Sequence, residues 1–326
     1  MTLRIIGAHE VRTILTVEHS IALMRDALAL VGRGETLQPL RQALFLPDKS
    51  GLLGLMPGYI AKPERLGLKA ISVFPRNFDV SLPSHQGIVV LFETKRGAPI
   101  AIIEAREITA LRTAAATAVA TEVLARRDAK TLVIFGYGEQ AETHLNALRR
   151  VRPFERVLVW GRSTDKAAAF AKQFGDATLP IEAIASAEEA TSRADVICTL
   201  TAATDPVLFG RWLKPGTHIN AVGSGTPNAA ELDIEAVVRC RCFADYRDSV
   251  LALSGEYLRA KAAGAVGDSH ILGSIGDILV GNIAGRSSAD ELTLFKSLGM
   301  AAEDLVAADF VLQEAERRGL GHVIDW

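Results

Sequence analysis

From Thr131 onward the chain repeats one pattern: a short apolar run, a tight turn, and a segment with helical spacing. "TLVIF" precedes "EQAETHLNALRR", "RVLVW" precedes "KAAAFAKQF", and "AEEATSR" precedes "DVICTL". A further apolar run, "HINAV", ends at Gly223, and the pattern continues at least through "CRCFADY". Strands separated by helices cannot pair as hairpins, so they align in parallel with right-handed crossovers. The sequence therefore predicts a doubly wound α/β sheet of the Rossmann type.

This pattern starts only after a third of the protein has passed. The 326 residues exceed what one hydrophobic core usually serves, so two domains are expected. Before residue 108 the periodicity gives one helix, Val17 to Val31. Strand-like runs follow at "LRQALFL", "GLLGLMPGY", "LGLKAISVF" and "HQGIVVLFE", and a hairpin turn at "KRGA" leads into "PIAIIEA". Such a block is mostly antiparallel and lies outside the Rossmann unit. A long Ala-rich helix, "TALRTAAATAVATEVLAR", comes next, with Thr109 as candidate N-cap. A last helix near Met300 to Arg318 leads the chain back to the first domain. The expected organisation is a Rossmann domain over 117–309, inserted in a second α/β domain with a mixed or antiparallel sheet, 1–116 completed by 310–326.

"FGYGEQAETHL" sits at the first strand–helix junction, where backbone amides of a Gly-x-Gly turn and a helix N-terminus can meet a pyrophosphate. Gly136 and Gly138, with Glu139 and Gln140 opening the helix, are candidate cofactor-binding residues. At the end of the second strand an acid would favour NAD; here "VWGRST" offers Arg162 and Ser163, with no carboxylate before Asp165. NADPH is the expected cofactor, with NADH as the alternative. Thr201 in "TLTAATDP", and Val222, Gly223 and Ser224 in "AVGSGTP", end successive parallel strands and should line the nicotinamide side, with Thr113 as a further candidate.

The formal net charge of −2 gives no basic field for nucleic acid, and no apolar run is long enough to span a membrane. The opening "MTLRIIGAHEVRTIL" has no leader-like apolar core, so the protein reads as cytosolic. Cys198, Cys240 and Cys242 have no ligand spacing and read as buried thiols; no metal site is expected. His85 in "PSHQG" reads as a turn-ordering residue and His144 as a surface or packing residue.

A nicotinamide domain needs a substrate pocket supplied by its partner domain. Three cations there are candidates: Arg41, Lys69 and Arg112. Arg41 and Lys69 lie in apolar runs, where a charge is costly unless an anion meets it. Arg112 falls in the first turn expected for its helix, where a cation opposes the positive end unless a carboxylate binds both.

Six blocks, "GLLGLMPGY", "LPSHQGIVVLFE", "ITALRTAAATAVAT", "FGYGEQAETHL", "VGSGTPNAAELD" and "FKSLGMAAEDLVAA", resemble in order and spacing the ornithine cyclodeaminase and mu-crystallin family. The resemblance implies an active site in a cleft between a Rossmann domain and a dimerisation domain, a homodimer, and amino acids or cyclic imines as substrates. It assigns Arg41, Lys69 and Arg112 to the substrate carboxylate, and places Lys296 and Ser297 near the nicotinamide. Cyclodeaminases carry acids where this chain has Gly54 and Gly225, which puts cyclodeamination in doubt and favours the ketimine-reductase side.

The expected reaction is NADPH-dependent reduction of a cyclic ketimine carboxylate, Δ1-pyrroline-2-carboxylate or Δ1-piperideine-2-carboxylate, to proline or pipecolate. The rival readings are an alanine-type amino-acid dehydrogenase, ornithine cyclodeaminase, and a non-catalytic dinucleotide-dependent binding protein for a small ligand.

Overall fold

The structure, a computed structural model, describes residues 2–80 and 82–326. The chain divides into two compact units, one made of the residues up to Thr113 together with Gly299–Trp326, the other of Ala114–Leu298. The sequence reading put the return to the first unit at 310. The structure puts it at Gly299, because the C-terminal helix packs on the first unit along its length, not only over its last turns.

In the first unit, β1 (Thr2–Ile6), α1 (Ala8–Ile14) and α2 (Val17–Gly32) precede β2 (Thr36–Leu37), β3 (Gln42–Phe45), β4 (Leu52–Ala61), β5 (Glu64–Val73), β6 (His85–Phe92) and β7 (Pro99–Glu104). The α2 helix starts where Thr16 accepts a hydrogen bond from the His19 amide, an N-cap. The sheet runs β16-β1-β7-β6-β5-β4-β2, with β3 on β4 and with β16 spanning His322–Asp325. Its ladders are antiparallel except for β1 beside β7. One face carries Met56, Ile60, Lys69, Ile71, Val89 and Leu91, all buried, and α11 (Ala301–Arg318) packs there against β4, β5 and β6. The strand period of two explains the opposite face, where Leu53, Leu66 and Ile88 stay exposed.

The Ala-rich helix α3 spans Ala105–Leu124, a full turn earlier than the Thr109 N-cap expected from sequence. Glu104, the last residue of β7, supplies the cap instead: its carboxylate accepts the amides of Arg106 and Glu107 at 2.8 and 3.0 Å. Thr109 turns its hydroxyl back onto the Ala105 carbonyl. Arg112 therefore lies well inside the helix, and the argument from opposition to a helix N-terminus does not apply to it.

The second unit is a parallel sheet of order β10-β9-β8-β11-β12-β15-β13-β14. Its elements are β8 (Thr131–Phe135), α4 (Glu139–Val151), β9 (Arg156–Trp160), α5 (Thr164–Phe174), β10 (Ile181–Ala183), α6 (Ala187–Arg193), β11 (Val196–Thr199) and β12 (His218–Ala221). Then come α7 (Ile234–Arg239), β13 (Arg241–Ala244), α8 (Arg247–Leu253), α9 (Gly255–Ala262), β14 (Ile271–Ser274), α10 (Ile275–Leu279) and β15 (Thr293–Lys296). Strands β8, β11 and β12 are wholly buried, as a sheet covered on both faces requires. Two apolar layers sandwich it, one around Val133, Ile197 and Ile219, the other around Leu132, Ile134 and Val159. The three cysteines are buried thiols, and burial pushes Cys240 up to about 12. Among the described residues no helix is long and apolar enough to cross a membrane, and no group of His, Cys, Asp and Glu could hold a metal.

Candidate active site

In the first unit the ladder places Lys69 in the middle of β5. Met56 pairs with Lys69 across β4 and β5, and Gln42 pairs with Leu55 across β3 and β4. Arg41 directly precedes β3, one residue before Gln42. Gly54, paired with Ile71, occupies the row next to Met56 and Lys69 on the same face.

Lys69 is 2% exposed and Arg112 4%. Their anions come from α11. Lys69 Nζ lies 2.8 Å from one oxygen of Asp304 and donates to the other at 3.0 Å. Arg112 Nε donates to that same Asp304 oxygen at 3.0 Å, and its Nη1 donates to Glu303 at 2.6 Å. Both carboxylates are fully buried. Gly299, with φ of +77°, lets the backbone pass over the guanidinium, where a Cβ would sit 2.5 Å from Nη1. Burial, and then the neighbouring Arg112, bring Lys69 down to about 8, against the opposing pull of Asp304 and Glu303.

This corrects the sequence argument. The anion that makes a buried Lys69 and Arg112 tolerable is the chain's own carboxylate pair, so their burial does not by itself require an external acid. Arg41 is only half-buried, just ahead of the exposed strand β3, and the burial argument does not reach it.

In the second unit the loops at the carboxyl ends of β11, β12 and β15 converge on buried charge. Glu231, fully buried, accepts five hydrogen bonds. One oxygen takes the amide and hydroxyl of Thr201, both at 2.7 Å; the other takes the Thr199 hydroxyl and the Gly223 amide at 2.8 Å and the Ser224 amide at 3.2 Å. Lys296 Nζ donates to the carbonyl and hydroxyl oxygens of Ser224 at 2.7 and 2.8 Å and lies 3.2 Å from Glu256. Glu256 also accepts from the Ser224 and Ser254 hydroxyls. Val222 is half-buried, its amide on the Thr199 carbonyl, and Ser297 is buried beside Asp245.

At the β8–α4 junction Gly136 has a φ of +116°, and a Cβ there would lie 2.8 Å from the Leu200 carbonyl oxygen. Gly138 caps α4 with no side-chain hydrogen bond, and a Cβ on it would meet nothing within 4 Å. That open, side-chain-free helix start, with Glu139 exposed and Gln140 half-buried, suits a pyrophosphate. Arg162 is exposed directly after β9, and Ser163 caps α5 by accepting the Lys166 amide at 3.3 Å. Thr113 is buried in α3, its hydroxyl on the Thr109 carbonyl. His85 is exposed, with Nδ1 2.8 Å from the Ser84 hydroxyl, and His144 is buried against Thr117.

Sequence reasoning passed over Glu303, Asp304, Glu231 and Glu256. A signal for the first two was present: an acidic pair inside the otherwise apolar stretch "GMAAEDLVAA", which the structure buries, has to find cations.

A parallel doubly wound sheet with a glycine turn feeding a helix whose N-cap bears no side chain is the arrangement of a dinucleotide-binding domain. Residues 3–319 match the family model described as ornithine cyclodeaminase/mu-crystallin family, and the chain belongs to that family. A Delta(1)-pyrroline-2-carboxylate reductase of Bacillus cereus is 36% identical over 99% of both chains. The ketimine reductase mu-crystallin of Mus musculus is 38% identical over 85% of each. In three dimensions the chain is similar to the Thermococcus litoralis Delta(1)-pyrroline-2-carboxylate reductase in complex with NADH and L-proline, with a TM-score of 0.94 and 34% identity. That match covers 98% of this chain and 99% of the other.

Proposed function

We propose that the protein reduces a small cyclic ketimine carboxylate, Δ1-pyrroline-2-carboxylate or Δ1-piperideine-2-carboxylate, to the cyclic amino acid. The observation that carries this reading is the buried pair Lys69 and Arg112, which share Asp304, in the unit whose strand β3 Arg41 directly precedes. Gly54, one row from Lys69, offers no acid for a distal amine, which disfavours ornithine as substrate.

A bound nicotinamide dinucleotide supplies the hydride that turns C=N into CH–NH. Arg41 and Arg112 hold the carboxylate, and Lys69 Nζ provides the proton for the imine nitrogen. Glu139, Gln140, Thr113, Arg162, Ser163, Thr201, Val222, Gly223 and Ser224 are assigned to the cofactor. Arg162, exposed just after β9 with no carboxylate in the sequence between it and Asp165, favours NADPH over NADH. Purified protein with NADPH and either imine should consume reduced cofactor, with a lower KM for NADPH than for NADH. No turnover on both imines refutes the reaction, and an NADH preference refutes the cofactor choice.

With Lys69 at about 8 and needed in its charged form, reduction should slow as pH rises through about 8. A flat kcat profile from pH 7 to 9 removes Lys69 as proton source.

The exposed sheet face with Leu53, Leu66 and Ile88, together with Leu37, Leu44 and Phe45, supports a homodimer joined through the first unit. Light scattering should give twice the chain mass; a monomer at micromolar concentration contradicts it.

A further inference from the structure

We propose that Glu231 is a positioning residue for the nicotinamide end of the cofactor, fixing the loops after β11 and β12 as one unit. This deepens the cofactor reading above and rests on it. Loops at the carboxyl ends of adjacent parallel strands lose the regular ladder where the strands end. Here the Val222 and Gly223 amides still reach the Thr199 carbonyl, and one carboxylate supplies the further ties between the two loops. Its first oxygen binds Thr201 on the β11 loop by amide and hydroxyl, and its second spans both loops through Thr199, Gly223 and Ser224.

The arrangement buries a carboxylate, a cost that five hydrogen bonds from the two loops offset. Burial raises the Glu231 carboxyl, and Lys296 and the ring of donors oppose that rise. Its own backbone is fixed in turn, the Glu231 amide donating to Glu256 at 3.1 Å, and Glu256 pairs with Lys296 at the end of β15. Three neighbouring strand ends, β11, β12 and β15, are thereby tied through two carboxylates and one ammonium. A glutamine at 231 keeps the size but, in either orientation, turns its NH2 toward at least one backbone N–H, so one loop loses its acceptor.

The test compares two ligands by calorimetry: the preferred reduced dinucleotide, and the ADP-ribose that carries the same 2′ group but no nicotinamide. Glu231→Gln should bind the dinucleotide at least tenfold more weakly and the ADP-ribose within twofold of wild type. Equal weakening of both ligands, or no change in either, overturns the proposal. Failure of the wild type to bind any dinucleotide would instead remove the cofactor reading itself. If Glu231→Gln does not fold by circular dichroism, Thr201→Val removes one donor and keeps the backbone amide. A selective loss of about threefold for the dinucleotide supports the role of Glu231, and an unselective or absent loss overturns it.

Discussion

Asp304→Ala is expected to lower the unfolding free energy by about 3–5 kcal/mol, the range for stripping a buried ion pair of one partner. The residue serves two cations at once: Lys69 through both oxygens and Arg112 through one. Its removal strips that carboxylate from an ammonium and a guanidinium, each under 5% exposed, while the pair between Glu303 and Arg112 remains. Urea titration reads the change directly, and a loss under about 1 kcal/mol would mean that water or a rearranged side chain takes over the carboxylate's part. Asp304→Asn keeps the shape and drops the charge. Because Asp304 raises the Lys69 ammonium toward its normal range, the asparagine variant should move the alkaline limb of the rate to lower pH. The same geometry complicates Arg112→Ala: turnover should fall, but Glu303 and Asp304 lose their shared cation, so kinetics belong on material shown to be folded.

The second large effect is acid lability of the parallel-sheet unit. His144 and His218 are buried and neutral. Burial brings them down to about 4 and about 3, and for His218 the nearby Arg286 adds to it. Both should titrate near 6.5 in the unfolded chain, so below that pH the unfolded state binds more protons and stability falls as pH falls. The loss runs from about 6.5 down to the folded values. At pH 5 two histidines together should remove about 4 kcal/mol, at about 1.4 kcal/mol per pH unit each. Staying above pH 5 keeps most carboxylates out of the measurement. Unfolding free energies at pH 7 and pH 5 that agree within about 1 kcal/mol would show that one or both rings keep a proton in the fold. The polar partners make the neutral form specific: His218 lies within hydrogen-bonding distance of Thr293 and Asn220, and His144 of Thr117 and the Gln140 carbonyl.

The parts of the fold that local pattern dictates were legible. Apolar runs such as "TLVIF" and "RVLVW" became β8 and β9, and "GLLGLMPGY" became most of β4, since continuous or alternating apolar residues leave few other solutions. The start of α3 was misplaced because Thr109 looks like a better cap than Glu104; the capping carboxylate instead sits on the preceding strand and reaches forward. Strands β1 and β16 were missed, as each is short and takes its place from pairing with a distant segment. Lys69 and Arg112 were visible as charges out of place, while Asp304, the residue that gathers them, was not. A sequence separation of 235 positions between Lys69 and Asp304 leaves no local trace of an ion pair.

The discontinuous first unit bears on how the protein is made. During translation β4, β5 and α3 leave the ribosome well before α11, and the whole of Ala114–Leu298 is synthesised in between. The nascent inner unit can settle while the early strands still lack the helix that covers them. Until that helix arrives, Lys69 and Arg112 stay hydrated, and the late delivery of Glu303 and Asp304 allows their desolvation and their neutralisation to happen in one step.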